Sequence, residues 1–493
     1  MIPFGEYLPD QADLDNPGVV TAKNVLPYAR GFGPVPALAA YSGALTARCQ
    51  GAFSCEDKAG TAYNFAGDAT KLYSLALDGT WSNVTKSGAT YSTDIDSRWE
   101  FVKFKEKVIA TGWDAAHGSA SYPQFITLGG SNFADLTTAF QAKHVAVVKD
   151  FVVFGNTWDT TTNIPLQVKW SGINDETSWT PSGTTLSDAA LLKNGVQIQR
   201  IVGGSSALVF CETTIYRMIF QAGGRVTFSF EEIDPGLSIH APGGICSAGE
   251  NVFFLCDDGF RVSVNRGPSQ RLGSEKVSRT VVGEIDPYHQ DKISAAYDPR
   301  SGYVYWAIPT GSGAAGIASK IYVYNTGADR WSCIEVDTET LLQSGSSGYT
   351  LEGLDTLSSS LDGLSASLDS PVYAGGNLQV GAFMSDHKLG YFSGDAMAAE
   401  IVTQELQLAQ GRKTLLRSVR PEVDGGASAT VAVAARNRQQ DAQTFGSQVA
   451  TRDSGRVPLR RSGRYHSFRL RTTGAFDHIV GLGDIEASPV GQR

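Results

Sequence analysis

Short strand-like runs recur along most of the chain at intervals of about 40–50 residues, and this repeat restricts the fold more than any other feature. Between Thr46 and Val336, each unit contains an apolar-alternating run, a polar turn and a second run that ends in an aromatic or hydroxyl residue. Period-2 alternation with β-branched and aromatic residues predicts strands. The pattern is clearest over residues 208–219, 252–264 and 295–308.

Antiparallel hairpins with this period are typical of β-propeller blades, because a single blade is too small to bury its own faces. Turn signals support the hairpins at residues 77–80, 257–259 and 298–302, where Asp and Gly cluster between apolar runs. The sequence therefore predicts an all-β chain with a β-propeller over residues 46–336. The length of this region allows six or seven imperfect blades. A long β-sandwich array remains the alternative.

Two segments interrupt or precede the repeat. Residues 1–45 are rich in proline and glycine, which disfavour helix interiors and central strands, so they predict an extended arm that docks on another surface. Residues 337–394 predict a linker or crossing segment that returns to strand. Leucines at helical spacing suggest a short helix there, although the Gly and Ser between them oppose a long one: Leu351, Leu354, Leu357, Leu361, Leu364 and Leu368.

The charges divide unevenly along the chain. Residues 395–493 predict a second, β-sandwich-like domain with alternating strands. The segment from Ala409 to Arg493 holds 14 Lys and Arg against 7 Asp and Glu, a net charge of +7. The remainder holds 27 basic and 43 acidic residues, a net charge of −16. Such asymmetry predicts different neighbours for the two parts.

The sequence contains little that indicates catalysis. No P-loop, HExxH or GxSxG motif is present, and the seven histidines are scattered without metal-ligand spacing. The run from Ser74 to Trp81 approaches a sialidase Asp-box, but its aspartate is displaced by two positions, which favours a hairpin turn. Adjacent carboxylates such as Glu231 and Glu232 point to opposite faces of a strand. We therefore expect no enzyme, no cofactor and no metal.

The six cysteines lack the CxxC pairs of a structural zinc site, and they are too few for a disulfide scaffold. Cys211 and Cys256 lie within apolar strand patterns, which predicts core positions. We expect reduced thiols and assembly in a cytoplasm. No window approaches the length of a membrane helix, so no membrane insertion by this chain is expected.

Several blocks, in this order along the chain, resemble the tail hub or nozzle proteins of short-tailed bacteriophages, also described as DNA-stabilisation proteins. The N-terminal block runs from IPFGEYLPD at residues 2–10 through Asn24 and Pro27 to Pro36. The others are VKWSGINDETSW at 168–179, the region from Leu351 to Gly394, and GRYHSFRLR at 463–471. The resemblance touches both ends and the middle of the chain.

This resemblance implies a non-enzymatic structural virion protein that assembles in the host cytoplasm into a homohexameric ring below the portal and adaptor. Such a ring extends the DNA channel, retains the packaged genome without sequence-specific binding and supports DNA ejection. Its partners would be the head-to-tail adaptor and tail fibre or tail needle proteins. The residues expected to dock partners are Pro3, Phe4, Tyr7, Leu8, Pro9, Asn24, Pro27, Arg460, Arg461 and Arg464.

Two other functions remain open at this point. A receptor-binding or glycan-binding propeller at a tail tip is the main alternative. A glycoside hydrolase or lyase is the third, because propellers host such enzymes.

Overall fold

The computed structural model describes residues 1–345 and 378–490 except Asp15, Arg225 and 312–315, together with Leu354, Asp355, Ser358, Ser360 and Gly363. The described residues form a propeller of seven four-stranded antiparallel blades, joined to a β-sandwich. The predicted fold class is confirmed, and the blade number is seven. The longest described helix is Ser278–Glu284, and no described helix is long and apolar enough to cross a membrane.

The first five blades follow one another along the chain, each built from four consecutive strands. Blade 1 contains Gly51–Glu56, Ala62–Gly67, Leu72–Leu75 and Trp81–Asn83. Blade 2 contains Glu100–Phe104, Lys107–Thr111, Gln124–Thr127 and Ala134–Asp135. Blade 3 contains Gln141–Val148, Phe151–Trp158, Asn163–Trp170 and Asp188–Leu191. Blade 4 contains Ile198–Val202, Ala207–Cys211, Thr214–Phe220 and Phe228–Pro235. Blade 5 contains Cys246–Ala248, Asn251–Cys256, Gly259–Ser263 and Ser269–Leu272.

Blades 6 and 7 share one long strand, Arg330–Gly345. Its first half completes blade 6 beside Ser294–Asp298, Tyr303–Pro309 and Ala318–Asn325. From Thr338 onward it is the inner strand of blade 7, which continues through Leu378–Met384 and Lys388–Ala396. The outer strand of blade 7 is Pro36–Ala44, which pairs antiparallel with Lys388–Ala396. The two ends of the propeller sequence therefore meet in one blade.

Seven buried apolar clusters fill the spaces between neighbouring blades, one for each interface. The cluster between blades 5 and 6 is the largest, because it extends into the sandwich and contains Trp306, Trp331 and Phe468. Cys211 and Cys256 are buried in these interfaces, as the sequence predicts, and all six cysteines are free. The predicted hairpins are present, and Gly79 and Gly302 occupy positive-φ turn positions that favour glycine.

The sandwich draws its strands from both ends of the chain. One sheet contains Ile2–Pro3, Val25–Pro27, Phe32–Pro34, Thr414–Asp424, Val457–Gly463 and His478–Pro489. The other contains Val19–Lys23, Ala399–Thr403, Ser428–Arg436, Val449–Ala450 and Tyr465–Thr473. Short 3₁₀ turns at Ser119–Ser121, Pro242–Gly244, Val264–Arg266 and Gln290–Lys292 complete the elements.

The domain boundaries differ from those expected from the sequence. Residues 1–45 are not a free arm: they supply sandwich strands and the outer strand of blade 7, since their apolar side chains find cover within this chain. Residues 338–345 belong to blade 7 and not to a linker, whereas the expected return to strand is present at 378–394, which supplies two further strands of the same blade. The expected short helix over Leu351–Leu368 lies almost entirely outside the described residues. Of its leucines, only Leu354 is described, and its side chain is buried.

Candidate functional site

The seven inner strands surround a central channel with a volume of about 540 Å³. Each blade contributes residues to its wall, from Gly51 in blade 1 to Gln343 in blade 7. Four charged residues line it: Arg98, Glu100, Lys103 and Arg200. The volume falls in the range of small-molecule sites, roughly 300–1,000 Å³. The channel is therefore large enough to hold a small molecule.

Two arginines from different blades converge on one turn of the channel wall. Nη1 of Arg200 donates to the carbonyls of Pro242 and Ile245, at 2.8 and 2.9 Å. Arg98 crosses from blade 2, and its Nη1 donates to the carbonyl of Ile293 at 3.2 Å. A Cβ at Gly243 would lie 2.1 Å from that Nη1 atom, so the absence of a side chain there permits the approach. Burial and the nearby charge of Arg200 lower the pKa of Arg98 to about 10.

The channel carboxylate is already engaged by the protein. Glu100 Oε1 lies 3.0 Å from Nδ1 of His144, and Oε2 accepts a hydrogen bond from the Val145 N–H at 3.2 Å. Burial opposes ionisation of Glu100, but His144 and Arg200 outweigh it and lower its pKa. Glu100 is therefore an ionised carboxylate, which suits electrostatic positioning and not the donation of a proton as a general acid.

A smaller charged cluster lies beside Arg98 at one mouth of the channel. It contains Arg48, Asp291 and Lys292, together with Glu339. Glu339 accepts from the Cys49 N–H at 2.9 Å and lies 2.6 Å from Nδ1 of His387. Burial and the neighbouring Asp96 raise the pKa of Asp291. Asp96 and Asp291 are far apart in the sequence, and the fold brings them close enough for the charge of Asp96 to act on Asp291.

The second charged surface is on the sandwich. Arg460, Arg461 and Arg464 are exposed, and none forms an ion pair within the described chain. Their neighbours differ: Arg469 and Arg471 pair with Glu400, and Arg456 pairs with Asp484 and Glu486. These three arginines lie within five consecutive positions of the chain, and we refer to Arg460, Arg461 and Arg464 together as the basic patch.

The other expected docking residues lie mostly inside the protein. Phe4, Tyr7 and Leu8 are at most 6% exposed, because they pack against this chain's own core. The Asn24 and Pro27 side chains are also buried, Pro9 is half-buried, and Pro3 is exposed at a sandwich edge. For the five buried residues, the expectation of a docking role is corrected, since they offer no surface to a partner.

Sequence reasoning missed Arg98, Glu100 and Arg200. The available signal was a charged residue within or beside a strand-like run in a chain with few charges. Which of these runs lines the channel depends on how the blades are arranged, and the sequence does not show that arrangement. The displaced Asp-box behaves as the sequence predicts: Asp78 caps its turn by accepting hydrogen bonds from the N–H and Oγ1 of Thr80, at 2.9 and 2.6 Å. Within the described chain, no group of three His, Cys, Asp or Glu side chains could hold a metal.

Comparison with known proteins finds no matching family model and no matching curated protein. Several solved structures are similar. Virginiamycin B lyase from Staphylococcus aureus shares 12% identity at a TM-score of 0.36, over 59% of this chain and 88% of that one. Citrobacter koseri AztD shares 10% at 0.31, over 58% and 74%. The Phanerochaete chrysosporium exo-β-1,3-galactanase shares 11% at 0.26, over 92% and 100%. At such TM-scores these likenesses neither assign nor exclude an enzymatic activity.

Proposed function

We propose that this chain is a structural, non-enzymatic subunit of a bacteriophage tail, a nozzle or hub protein that assembles into a ring below the portal and adaptor. The observation that carries the proposal is the separation of charge between the two parts of the molecule. The segment of net charge +7 contains most of the sandwich strands and the basic patch. The propeller residues 36–345 and 378–396 carry a net charge of −8, whereas the sandwich residues 1–35 and 397–493 carry +3.

Opposite charge on two separate surfaces of one chain favours contact between unlike surfaces of successive copies. A head-to-tail contact of this kind closes into a ring when the rotation between subunits divides a full turn. In the proposed ring, the basic patch of one copy meets the acidic propeller of the next. Complementary charge of this type steers encounter and fixes orientation more than it adds affinity.

The rigidity of the molecule suits the same role. The propeller is a closed ring of blades, and the sandwich shares a continuous hydrophobic core with blades 5 and 6. The two parts are therefore packed together and are not joined only by a flexible linker. The sequence resemblance to tail nozzle proteins supplies the place of the ring in the virion. Genomic DNA would pass through the opening of the ring, since the propeller's own channel has the volume of a small-molecule site.

The test measures the mass of the purified protein, alone and mixed with its adaptor ring, at low and high salt. We expect a closed ring or an adaptor-bound ring for the natural protein, weakened by salt because the charges are exposed. The triple variant Arg460→Glu, Arg461→Glu, Arg464→Glu should remain monomeric. A matched control, Lys58→Glu, Lys193→Glu, Arg300→Glu, changes the net charge equally at exposed propeller positions and should still assemble. A natural protein that stays monomeric with the adaptor would overturn the proposal.

A glycan-binding propeller is the second candidate, and one observation favours it. Tyr288 is 87% exposed and adjoins Pro287, which lines an open cleft of about 790 Å³ with His240, Asp257 and Gln290. An aromatic side chain beside polar groups can bind a sugar, because the aromatic ring packs against the apolar face of the sugar and the polar groups bond to its hydroxyls. A glycan array tests this candidate. Binding that Tyr288→Ala abolishes would support it, and an array without signal would remove it.

A further inference from the structure

We propose that the propeller channel is a binding site for a small phosphate-class dianion, which Arg98 and Arg200 hold between them. This inference does not depend on the ring, because every residue that it uses lies within one copy of the chain. It assigns a ligand class to the propeller channel, which has no role in the proposed ring.

The first argument is the placement of two like charges side by side. Arg200 is anchored to the carbonyls of Pro242 and Ile245, and Arg98 reaches the same turn at Gly243. Two guanidinium groups repel each other in a partly buried site, where charges are screened less than in water. Burial is the larger cause of the lowered pKa of Arg98, and the charge of Arg200 contributes to it in the same direction. An anion between the two groups would convert the repulsion into attraction.

The second argument is that both arginines retain unused donors. Each guanidinium has five N–H donors in a rigid fork. In the described part of the chain, only Nη1 of each donates to a protein acceptor, and neither arginine forms an ion pair. Buried charges in proteins are normally paired, because desolvation is costly without compensation. The Nε and Nη2 groups of both residues are therefore available to a ligand.

The third argument concerns the charge that the ligand must bring. The lining holds Arg98, Lys103 and Arg200 against Glu100, an excess of two positive charges. Glu100 is hydrogen-bonded by His144 and the Val145 N–H and forms no ion pair with either arginine in the described chain, although the charge of Arg200 contributes to its lowered pKa. A dianion matches the excess. Arginine forks bind phosphate oxygens bidentately, which favours phosphate or a phosphate monoester over a single carboxylate.

The experiment titrates the full-length protein with inorganic phosphate and with glucose 6-phosphate by calorimetry, and follows the melting temperature at constant ionic strength in chloride. A bound anion raises the melting temperature with concentration, since it stabilises only the folded state. We expect saturable binding of at least one probe. Binding of phosphate alone would indicate the free anion, and preference for the ester would indicate a phosphorylated metabolite; either result supports the proposal.

Three variants locate the site. Arg200→Gln should weaken binding about tenfold or more, as expected for the loss of a charge-assisted contact. Arg200→Lys keeps the charge but loses the fork, and should bind with intermediate affinity; it also serves if Arg200→Gln does not fold. Arg438→Gln, at an exposed sandwich position outside the basic patch, should bind phosphate as the natural protein does. The proposal is overturned if neither probe binds at millimolar concentration, or if Arg200→Gln and Arg200→Lys both bind like the natural protein.

Discussion

Lys23 pairs with Cys333 in a parallel bridge, and through this pair the sandwich sheet continues into blade 6. The next residue, Asn24, secures the junction: its N–H donates to the Cys333 carbonyl at 2.7 Å, and its Oδ1 accepts from the Glu335 N–H at 2.8 Å. Asn24 Nδ2 also donates to the Ala398 carbonyl at 3.0 Å. One buried side chain thus connects an N-terminal strand to two distant segments of the chain.

Replacement of Asn24 should therefore destabilise the whole molecule. Asn24→Ala removes two side-chain hydrogen bonds and places alanine at a φ of +56°, so the free energy of unfolding should fall by about 2–3 kcal/mol. Asn24→Gly loses the same bonds but tolerates the positive φ, and should lose less. Urea denaturation measures both. A loss for Asn24→Ala within about 0.5 kcal/mol, the range of ordinary surface changes, would contradict the role of the junction.

Two stacked tryptophans in the largest core cluster should respond differently to the same substitution. Trp306 and Trp331 are fully buried with ring centroids 5.8 Å apart. Trp306 Nε1 donates to the Gly244 carbonyl at 3.0 Å, whereas Trp331 Nε1 has no acceptor in the described chain. Trp306→Phe should therefore lower the free energy of unfolding by about 1–2 kcal/mol more than Trp331→Phe does, because only Trp306→Phe leaves a buried acceptor, the Gly244 carbonyl, without its donor. Equal losses in thermal or urea unfolding would contradict this ranking.

His466 should make the protein sensitive to mild acid. Its side chain is fully buried, neither ring nitrogen has a partner in the described chain, and burial lowers its pKa to about 4. Below pH 6.5 the unfolded chain binds a proton at this residue that the folded chain excludes until about pH 4. Stability from this group is thus full at neutral pH and is lost as the pH falls.

The expected loss between pH 7 and pH 5 is about 2 kcal/mol of unfolding free energy. Urea denaturation at the two pH values measures it. His466→Phe keeps an aromatic ring of similar size without the titrating group, so the pH dependence should shrink by the same amount. An unchanged pH dependence in that variant would assign the acid sensitivity to other residues.

Removal of residues 1–45 should prevent the propeller from closing. An extended arm that only docks on another surface, as the sequence predicts, could be removed without unfolding the propeller. The structure changes this expectation, because Pro36–Ala44 is the outer strand of blade 7. The truncated chain should lose cooperative thermal unfolding and bind a hydrophobic dye. A cooperative melt with intact near-ultraviolet circular dichroism would show that the strand is dispensable.

The sequence predicts blades 1 to 6 well, because their strands are consecutive and their turns are local signals such as Asp298 to Gly302. It fails at blade 7 for two physical reasons. Strand Arg330–Gly345 passes from one blade to the next without a turn, so the alternation near Val336 marks no boundary. The outer strand is separated from its partner by most of the chain, and pairing over that distance has no local pattern.

The same limitation applies to the channel. Arg98 lies just before an inner strand and Arg200 lies within one, and neither position is unusual in the sequence. They become neighbours only because the fold brings both side chains to the turn at residues 242–245 and because Gly243 leaves space for the Arg98 guanidinium. Burial of Cys211 and Cys256, in contrast, follows from the apolar runs around them, and the sequence predicts it directly.

The strand order of blade 7 means that this blade is completed only late in the synthesis of the chain. Ala44 leaves the ribosome early, yet its partner Lys388 follows 344 positions later. At about 5–20 residues per second, the strand Pro36–Ala44 waits roughly 20–70 s with an unpaired edge. Any other strand edge that meets it during this interval competes with the correct partner. The propeller therefore closes only after most of the chain has been synthesised. The yield of folded protein should depend on how well the unpaired edge of Pro36–Ala44 is protected from other strands until then.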